Sequence, residues 1–237
     1  MGYLCPLCNR TFEMPREVII QMHNAIMTQI PLPKEELDLF KQLKDLKVIF
    51  DVGAREDTEY LDLWPDSEHH LFEPNPIFFE ALKSKVKDKP NVFPNNFGLG
   101  DKRCEMAYRE GLQSFVESDA VNDKQRDIDM VLQLTTLGAY VTDKNISSID
   151  FLKIDTEGFD RKVILGAYNW LKMIKFIQYE HWGEVDNKMI VGLLSDKFDI
   201  YCVGYRNQFC MNRDLVDWEE RTRLSKYIED NKLAELV

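Results

Sequence analysis

Apolar residues in this chain collect in short continuous runs, separated by longer stretches in which they recur every three or four positions. Val48, Ile49, Phe50 and Val52 form one such run, interrupted by Asp51 and stopped by Gly53. Runs of this kind predict strands covered on both faces, since a strand with one wet face alternates instead. Further runs lie at His69–Phe72, around Val92–Phe93, and at Ile128–Leu134, Ile149–Ile154, Ile174–Tyr179, Phe198–Val203 and Asn207–Met211. Helical spacing fills the intervals: from Glu56 onward, from Pro76 to Lys87, and over Thr136–Thr142, Phe159–Leu171 and Asp186–Lys197. Strands alternating with helices of about ten to fifteen residues imply right-handed crossovers and a mostly parallel, doubly wound α/β sheet. Cys104–Arg109 alternates like an additional strand, the polar stretch 111–127 reads as a mobile loop or lid, and 215–236 reads as a charged helical tail with a solvated face.

Upstream of the first strand the pattern is helical. Val18, Ile19, Met22, Ile26 and Ile30 share one helix face behind Pro15, Pro31 and Pro33 break the chain, and Lys34–Leu46 forms a second amphipathic helix. The expected organisation is an N-terminal extension, residues 1–46, and one α/β domain, residues 47–237. The extension has three open roles: capping a sheet edge, covering a substrate mouth, or making a homodimer contact. Cys5 and Cys8 have the C-x2-C spacing that grips zinc from a tight turn, yet this is half a site, and His23 beside the apolar stripe reads as a packing residue. A second subunit could complete it; a turn with two reduced thiols is the alternative.

Composition narrows the function classes. A chain of 237 residues with 44% hydrophobic content buries one large core. A net charge of -11 gives no general attraction for phosphate backbones or anionic lipid, which argues against nucleic acid as a partner. No apolar run approaches the ~18 residues of a membrane span, and the first 30 residues lack the blocks of a signal peptide. Five cysteines, with Cys104, Cys202 and Cys210 in expected strands, suit a reducing cytosol, so a cytoplasmic location is expected.

In a doubly wound sheet the ligand crevice lies outside the carboxyl ends of the strands. Gly53 there allows close backbone approach to a ligand, and Glu73 follows Asp51 by about 22 residues, near the spacing of a ribose-binding acid in nucleotide folds. Ile149–Gly158, IDFLKIDTEG, places Lys153, Asp155 and Glu157 at alternate positions, so the three are expected to share one face of the strand end. Three charges on a buried strand are costly unless they pair with one another, as in an internal ion-pair network, or with a ligand. The strand at Ile174–Tyr179 ends in Glu180-His181-Trp182, charged and aromatic where the crevice belongs.

Five of these stretches, IFDVGA (49–54), LFEPNP (71–76), NNFGLGD (95–101), FLKIDTEG (151–158) and IQYEHW (177–182), together and in this order resemble the S-adenosylmethionine-dependent methyltransferases of the FkbM type. One departure is visible: the first motif usually continues with asparagine and a second glycine, where this chain has Arg55 and Asp57. The resemblance implies a Rossmann-like class I sheet of seven strands with the last antiparallel, S-adenosylmethionine as cofactor and S-adenosylhomocysteine as product. It implies that Asp51, Gly53, Ala54 and Arg55 line the methionine and ribose side, that Glu73 takes the ribose hydroxyls, and that Asn75, Asn96 and Phe97 lie near ribose or adenine. The implied reaction is O-methylation of a sugar hydroxyl in a glycan or glycoside. A poorly acidic hydroxyl needs a base, for which Asp155, Glu180 and His181 are candidates, with Lys153 holding a carboxylate or polarising the acceptor. His181 leads, since its reference pKa near 6.5 needs no tuning. Glu157, Trp182 and Ser114 fall on the acceptor side. A divalent cation held by Asp155, Glu157 or Glu180 is an open alternative, as are a non-catalytic binding module and a methyltransferase of small-molecule natural products.

Overall fold

The computed structural model describes residues 2–4, 11–13, 34–109, 114–116, 130–203 and 206–236. Cys5, Cys8 and the helix expected over Pro15–Ile30 lie outside them. Gly2–Leu4 and Thr11–Glu13 form a short antiparallel pair. The main body is an eight-stranded sheet. Its strands are β1 (Val48–Val52), β2 (Glu68–Phe72), β3 (Val92–Asn95), β8 (Ile149–Ile154), β9 (Ile174–Glu180), β10 (Phe198–Val203), β11 (Asn207–Asn212) and β12 (Ala234–Leu236). Their order across the sheet is β12-β10-β11-β9-β8-β1-β2-β3. All are parallel except β11 and β12, which run against their neighbours. Without β12 this is the seven-stranded order expected of the class I methyltransferase fold, with the seventh strand antiparallel.

The continuous apolar runs have the cause the sequence suggested, burial on both faces. In β1, Phe50 and Val52 enter one core with Leu152 and Ile154 of β8 and Ile177 and Tyr179 of β9. That core is closed by α4 (Leu137–Lys144), α5 (Asp160–Ala167) and α6 (Glu184–Leu194). Ile49, Phe151 and Phe176 point to the other face, where α1 (Lys34–Phe40), α2 (Tyr60–Leu63) and α7 (Trp218–Asp230) pack through Phe40, Tyr60, Leu224 and Ile228. The helix α3 (Pro76–Val86) covers β2 on this face through Leu82 and Val86. Phe40 meets Phe151 edge-on with centroids 5.2 Å apart, so α1 is seated directly on the central strands.

Several elements differ from the expectation. The helix predicted to Leu46 stops at Phe40, although Leu43 and Leu46 remain buried. The acidic residues from Glu56 to Glu59 lie in the turn before a four-residue α2. Phe159–Leu171 divides into α5 and a 3-10 turn over Tyr168–Met173. The segment after residue 215 is not simply a solvated tail: Asp217 caps α7 by accepting from Glu220 N at 2.8 Å, and the chain then returns as β12 along β10. Met130–Thr135 does not join the main sheet. It is β7 of a second, four-stranded sheet with β4 (Gly98–Leu99), β5 (Cys104–Arg109) and β6 (Ser114–Val116), in the order β4-β7-β5-β6. Within the stretch expected to be a loop or lid, Ser114–Val116 therefore pairs as a strand against β5.

Gly166 of α5 sits where a Cβ would come within 1.9 Å of the Gly100 carbonyl oxygen, so bare backbone brings α5 against the small sheet. Gly166→Ala is expected to destabilise the fold by about 1–3 kcal/mol through forced backbone displacement. Gly192→Ala, at a helical glycine with open space around it, is expected to stabilise by about 0.5–1 kcal/mol. Urea unfolding of the two variants should shift the midpoint in opposite directions.

Candidate active site

The strand order reverses between β1 and β8, and the crevice opens at their carboxyl ends. Asp51 and Lys153 are register partners on these neighbouring strands. Both face the side of Ile49 and Phe151, and both are buried. The Lys153 Nζ lies 3.0 Å from Asp51 Oδ1, donates to the Gly53 carbonyl at 3.1 Å and stands 3.8 Å from Asp155 Oδ2. Burial alone would depress the Lys153 pKa, but Asp51 and Asp155 more than offset it and hold the ammonium above its ordinary value. Gln178, the register partner of Lys153 on β9, continues the row and accepts from Tyr60 Oη at 3.1 Å. Lys153 is therefore a clamp joining the two turns, and the ion-pair alternative describes its immediate surroundings.

Gly53 has φ +87°, and a Cβ there would lie 1.9 Å from the Asp155 carbonyl oxygen. Its bareness is required by the neighbouring turn of the protein itself. Ala54 is buried, and its N–H, like that of Gly53, donates to Phe72 O. Arg55 takes the left-handed conformation, φ 53°, which asparagine tolerates better than arginine. Its guanidinium lies against Glu56 at 3.5 Å and over the Phe78 ring at 4.9 Å. Asp57 points away from the crevice and pairs with Lys85 at 2.6 Å.

Glu73, 4% exposed, clasps this turn: Oε2 accepts from Arg55 N at 3.0 Å and Oε1 from Asn75 N at 2.7 Å. Burial raises its pKa to about 7 despite those bonds and the charges of Arg55 and Lys153. Asn75 is fully buried; its oxygen caps α3 by accepting from Ile77 N, and its Nδ2 has no regular acceptor among the described residues. Asn96 is exposed and braces the loop by donating to the Glu73 and Pro74 carbonyls. Phe97 is half-buried and leans on Phe72 and Tyr140, with centroids 5.9 and 6.0 Å away.

On the other side β8 ends at Ile154, so the expected alternation of Lys153, Asp155 and Glu157 does not continue along a strand. Asp155 N still donates to Val52 O at 3.0 Å, and the chain then turns back through left-handed Glu157, φ 54°, and Gly158, φ 92°. The turn nevertheless gathers acids. Burial, with the charges of Asp155 and Glu180, raises Glu157 to about 8, and burial with Asp155 raises Glu180 to about 7. Asp160, which the sequence reading missed, is fully buried and raised to about 7 by burial and Asp155. It accepts from Thr156 Oγ1 at 2.7 Å, Thr156 N at 3.2 Å and Glu180 N at 3.2 Å, fastening the turn to the end of β9. An aspartate just after a Gly-Phe turn at a helix start was the available signal.

The Trp182 ring, half exposed, stands beside Gly158, donates to Glu180 Oε2 at 3.0 Å and lies under the Arg206 guanidinium at 5.1 Å. His181 donates its backbone N–H to Arg206 O. Burial holds its pKa below the ordinary value, and the charges acting on its ring are Arg206 and Asp186. Ser114 lies on β6, in register with Arg109. Tyr108 of β5 is buried and packs edge-on against Phe115 of β6, with centroids 5.5 Å apart. Among the described residues no three His, Cys, Asp or Glu side chains are grouped to hold a metal ion.

With this geometry in place the sequence can be compared with known proteins. It matches the Methyltransferase FkbM domain over residues 51–197, more than half of the chain. The chain belongs to the FkbM methyltransferase family. The match spans every crevice residue from Asp51 to Trp182 described above. A relative is the hexuronic acid methyltransferase AglP of Haloferax volcanii, 23% identical over 159 residues, which cover 67% of this chain and 65% of that protein. This chain thus spans less than two thirds of that relative's length. Similar solved structures include a METTL16 MTase domain, at 11% identity and TM-score 0.47 with 89% of this chain and 85% of that one covered. Another is a SAM-dependent methyltransferase from Aquifex aeolicus, at 11% identity and TM-score 0.45 with 86% and 100% covered. Among the described residues no helix is long and apolar enough to cross a membrane.

Two predictions follow from the charges. Removing one partner of a buried pair leaves the other uncompensated, so Lys153→Met should destabilise by about 3–5 kcal/mol, and Asp51→Asn in the same chain should recover part of the loss. Chemical denaturation of the two singles and the double measures this. The acids Glu73, Glu157, Asp160 and Glu180 have folded-state values above the ordinary ~4.3 of a carboxyl, so the folded state holds the extra protons. Their stabilising contribution is complete below the unfolded value and is lost as pH rises through about 7 to about 8. Thermal melting of the ligand-free protein should show this fall, and Glu157→Gln should raise Tm at pH 8 while leaving it nearly unchanged at pH 5.

Proposed function

We propose that this chain is an S-adenosylmethionine-dependent O-methyltransferase acting on a sugar hydroxyl of a glycan or glycoside. The observation that carries the reading is the division of the crevice. One side has a buried acid clasping the first turn; the other has an acidic mouth beneath a half-exposed indole. The cofactor reading rests on the first side: Glu73 has lone pairs left to accept from ribose hydroxyls, and Asn75 has a buried amide N–H lacking a regular acceptor. Asp51, Gly53, Ala54, Arg55, Glu73 and Asn75 would hold it, with Asn96 bracing the loop and Phe97 at the adenine end. When bound, it supplies a methyl group activated on a sulfonium.

The second side supports a polyhydroxylated acceptor. An indole face beside carboxylates matches a sugar ring, whose C–H face is apolar and whose hydroxyls donate. The relative AglP, a hexuronic acid methyltransferase by name, supports the same substrate class. Within the mouth we assign the general base to Glu180, held by the Trp182 N–H and raised to about 7, where a carboxyl accepts a proton efficiently at neutral pH. His181, under the charges of Arg206 and Asp186, is the second candidate. Lys153 acts by holding the Gly53 and Asp155 turns in place, and Glu157 and Trp182 face the acceptor.

The test is incubation of the purified protein with S-adenosylmethionine and a glycan panel, read by mass spectrometry for a methyl increment; cofactor binding without any methylated hydroxyl would sink the proposal. Glu180→Gln should lower kcat by roughly 100-fold or more with cofactor affinity unchanged, and His181→Ala should have a smaller effect. Glu73→Gln keeps the side chain's shape, and should weaken S-adenosylhomocysteine binding by about 1.5–3 kcal/mol in calorimetry while turnover recovers at saturating cofactor.

A further inference from the structure

Helix α1 turns a carboxyl group toward the core. Glu36 is 2% exposed, and it continues the buried stripe of Leu39, Phe40 and Leu43 at the three- and four-residue spacing of one helix face. An apolar side chain would be favoured there, since a buried carboxyl costs free energy unless it is hydrogen-bonded. What Glu36 meets is the start of β11: Asn207 Nδ2 donates to its Oε1 at 2.6 Å, across 171 residues of chain.

The helix lies along that strand. Phe40, four residues after Glu36, packs against Phe209, two residues after Asn207, with ring centroids 6.2 Å apart. Four residues rise about 6 Å along a helix and two about 6.6 Å along a strand, so the two contacts are successive rungs between the same pair of elements. The apolar rung is level with Gln178 of β9, and the polar rung is level with Glu180 at the carboxyl end of that strand.

The polar rung is where the mouth of the crevice is built. Arg206, immediately before Asn207, accepts the His181 N–H on its carbonyl at 3.1 Å and lays its guanidinium over the Trp182 ring at 5.1 Å, while Trp182 donates to Glu180. Backbone at the end of a strand opens more readily than strand interiors, so a side-chain bond from a second element at this point fixes where those groups stand. Glu36 and Asn207 both lie outside residues 51–197, which carry the family match, and their bond joins the two flanks of the chain at the mouth.

We propose that Glu36 is a positioning residue for the acceptor: by holding Asn207 it sets Arg206 and Trp182 beside Glu180, so that the segment preceding the family's core governs acceptor recognition. The inference rests on the reading of this mouth as the acceptor side of a methyltransferase.

Steady-state kinetics with the glycan that the parent methylates, beside calorimetry with S-adenosylhomocysteine, test it. Glu36→Ala and Asn207→Ala, which reads the same bond from its other end and leaves α1 whole, should each raise the acceptor KM about tenfold while S-adenosylhomocysteine affinity stays within about twofold of the parent's. The double variant should lose no more than either single one. Glu36→Gln keeps an oxygen for Asn207 and should recover most of the parent's KM. Leu43→Ala loosens the same segment without touching the bond, and should lower Tm with the acceptor KM near the parent's. An unchanged acceptor KM in Glu36→Ala or Asn207→Ala, additive losses in the double variant, no recovery by Glu36→Gln, or an equal rise in Leu43→Ala overturns the inference. A folded parent that binds S-adenosylhomocysteine and methylates no glycan overturns the acceptor reading itself, and this inference with it.

Discussion

The site depends on a single buried ion pair at the centre of the sheet. Asp51 and Lys153 occupy the two strands between which the winding direction reverses, at the point where the sheet gives way to loops. An unpaired charge at either position would have to be neutralised or hydrated, and the surrounding Ile49, Phe151 and Phe176 leave little room for water. Paired, the two side chains fix more than each other. The lysine's remaining contacts reach the Gly53 carbonyl and Asp155, so the Gly53 turn and the acidic turn are tied to one another through one ammonium group.

The acidic turn shows a second layer of the same logic. The charge of Asp155 adds to burial in raising Glu157, Asp160 and Glu180, and the cations acting on Glu157 and Glu180 are Lys153, Arg55 and Arg206, each already engaged with another partner. Asp160 spends its hydrogen bonds on backbone and on Thr156, which makes it part of the scaffold. Glu180 and Glu157 remain as groups near neutrality at the mouth. A mouth of this kind welcomes hydrogen-bond donors, and the exposed indole beside it supplies the apolar contact that a ring of C–H bonds needs.

Much of this was legible in the sequence because burial on both faces writes a plain signal. The strands β1, β2, β8 and β9 are rich in buried apolar residues, and polar residues at or just beyond their carboxyl ends, Asp51, Glu73, Asp155 and Glu180, are the ones that the fold brings to the crevice. Glu73 was singled out by its spacing from Asp51 and by the LFEPNP motif, and the fold places it, buried, just beyond the end of β2. Less was legible where pairing is decided by distant partners. Met130–Thr135 has the composition of a core strand and gives no sign that it pairs with Cys104–Arg109. The three residues of β12 are too few to carry a period. Glu157 looked like an alternating strand position, and only its left-handed backbone shows that it arrives by a turn.

The separation of the pair along the chain shapes how the molecule is made. Lys153 and the Gly53 carbonyl it holds are 100 residues apart. While the chain is being synthesised, β1, β2 and β3 emerge long before Lys153, and could pair as a half-sheet. That half-sheet would carry Asp51 on its open edge without its lysine, next to a turn whose bare glycine has not yet met the Asp155 carbonyl. The crevice is completed only when the second half of the sheet arrives, and the late lysine then closes that edge and sets the early turn together.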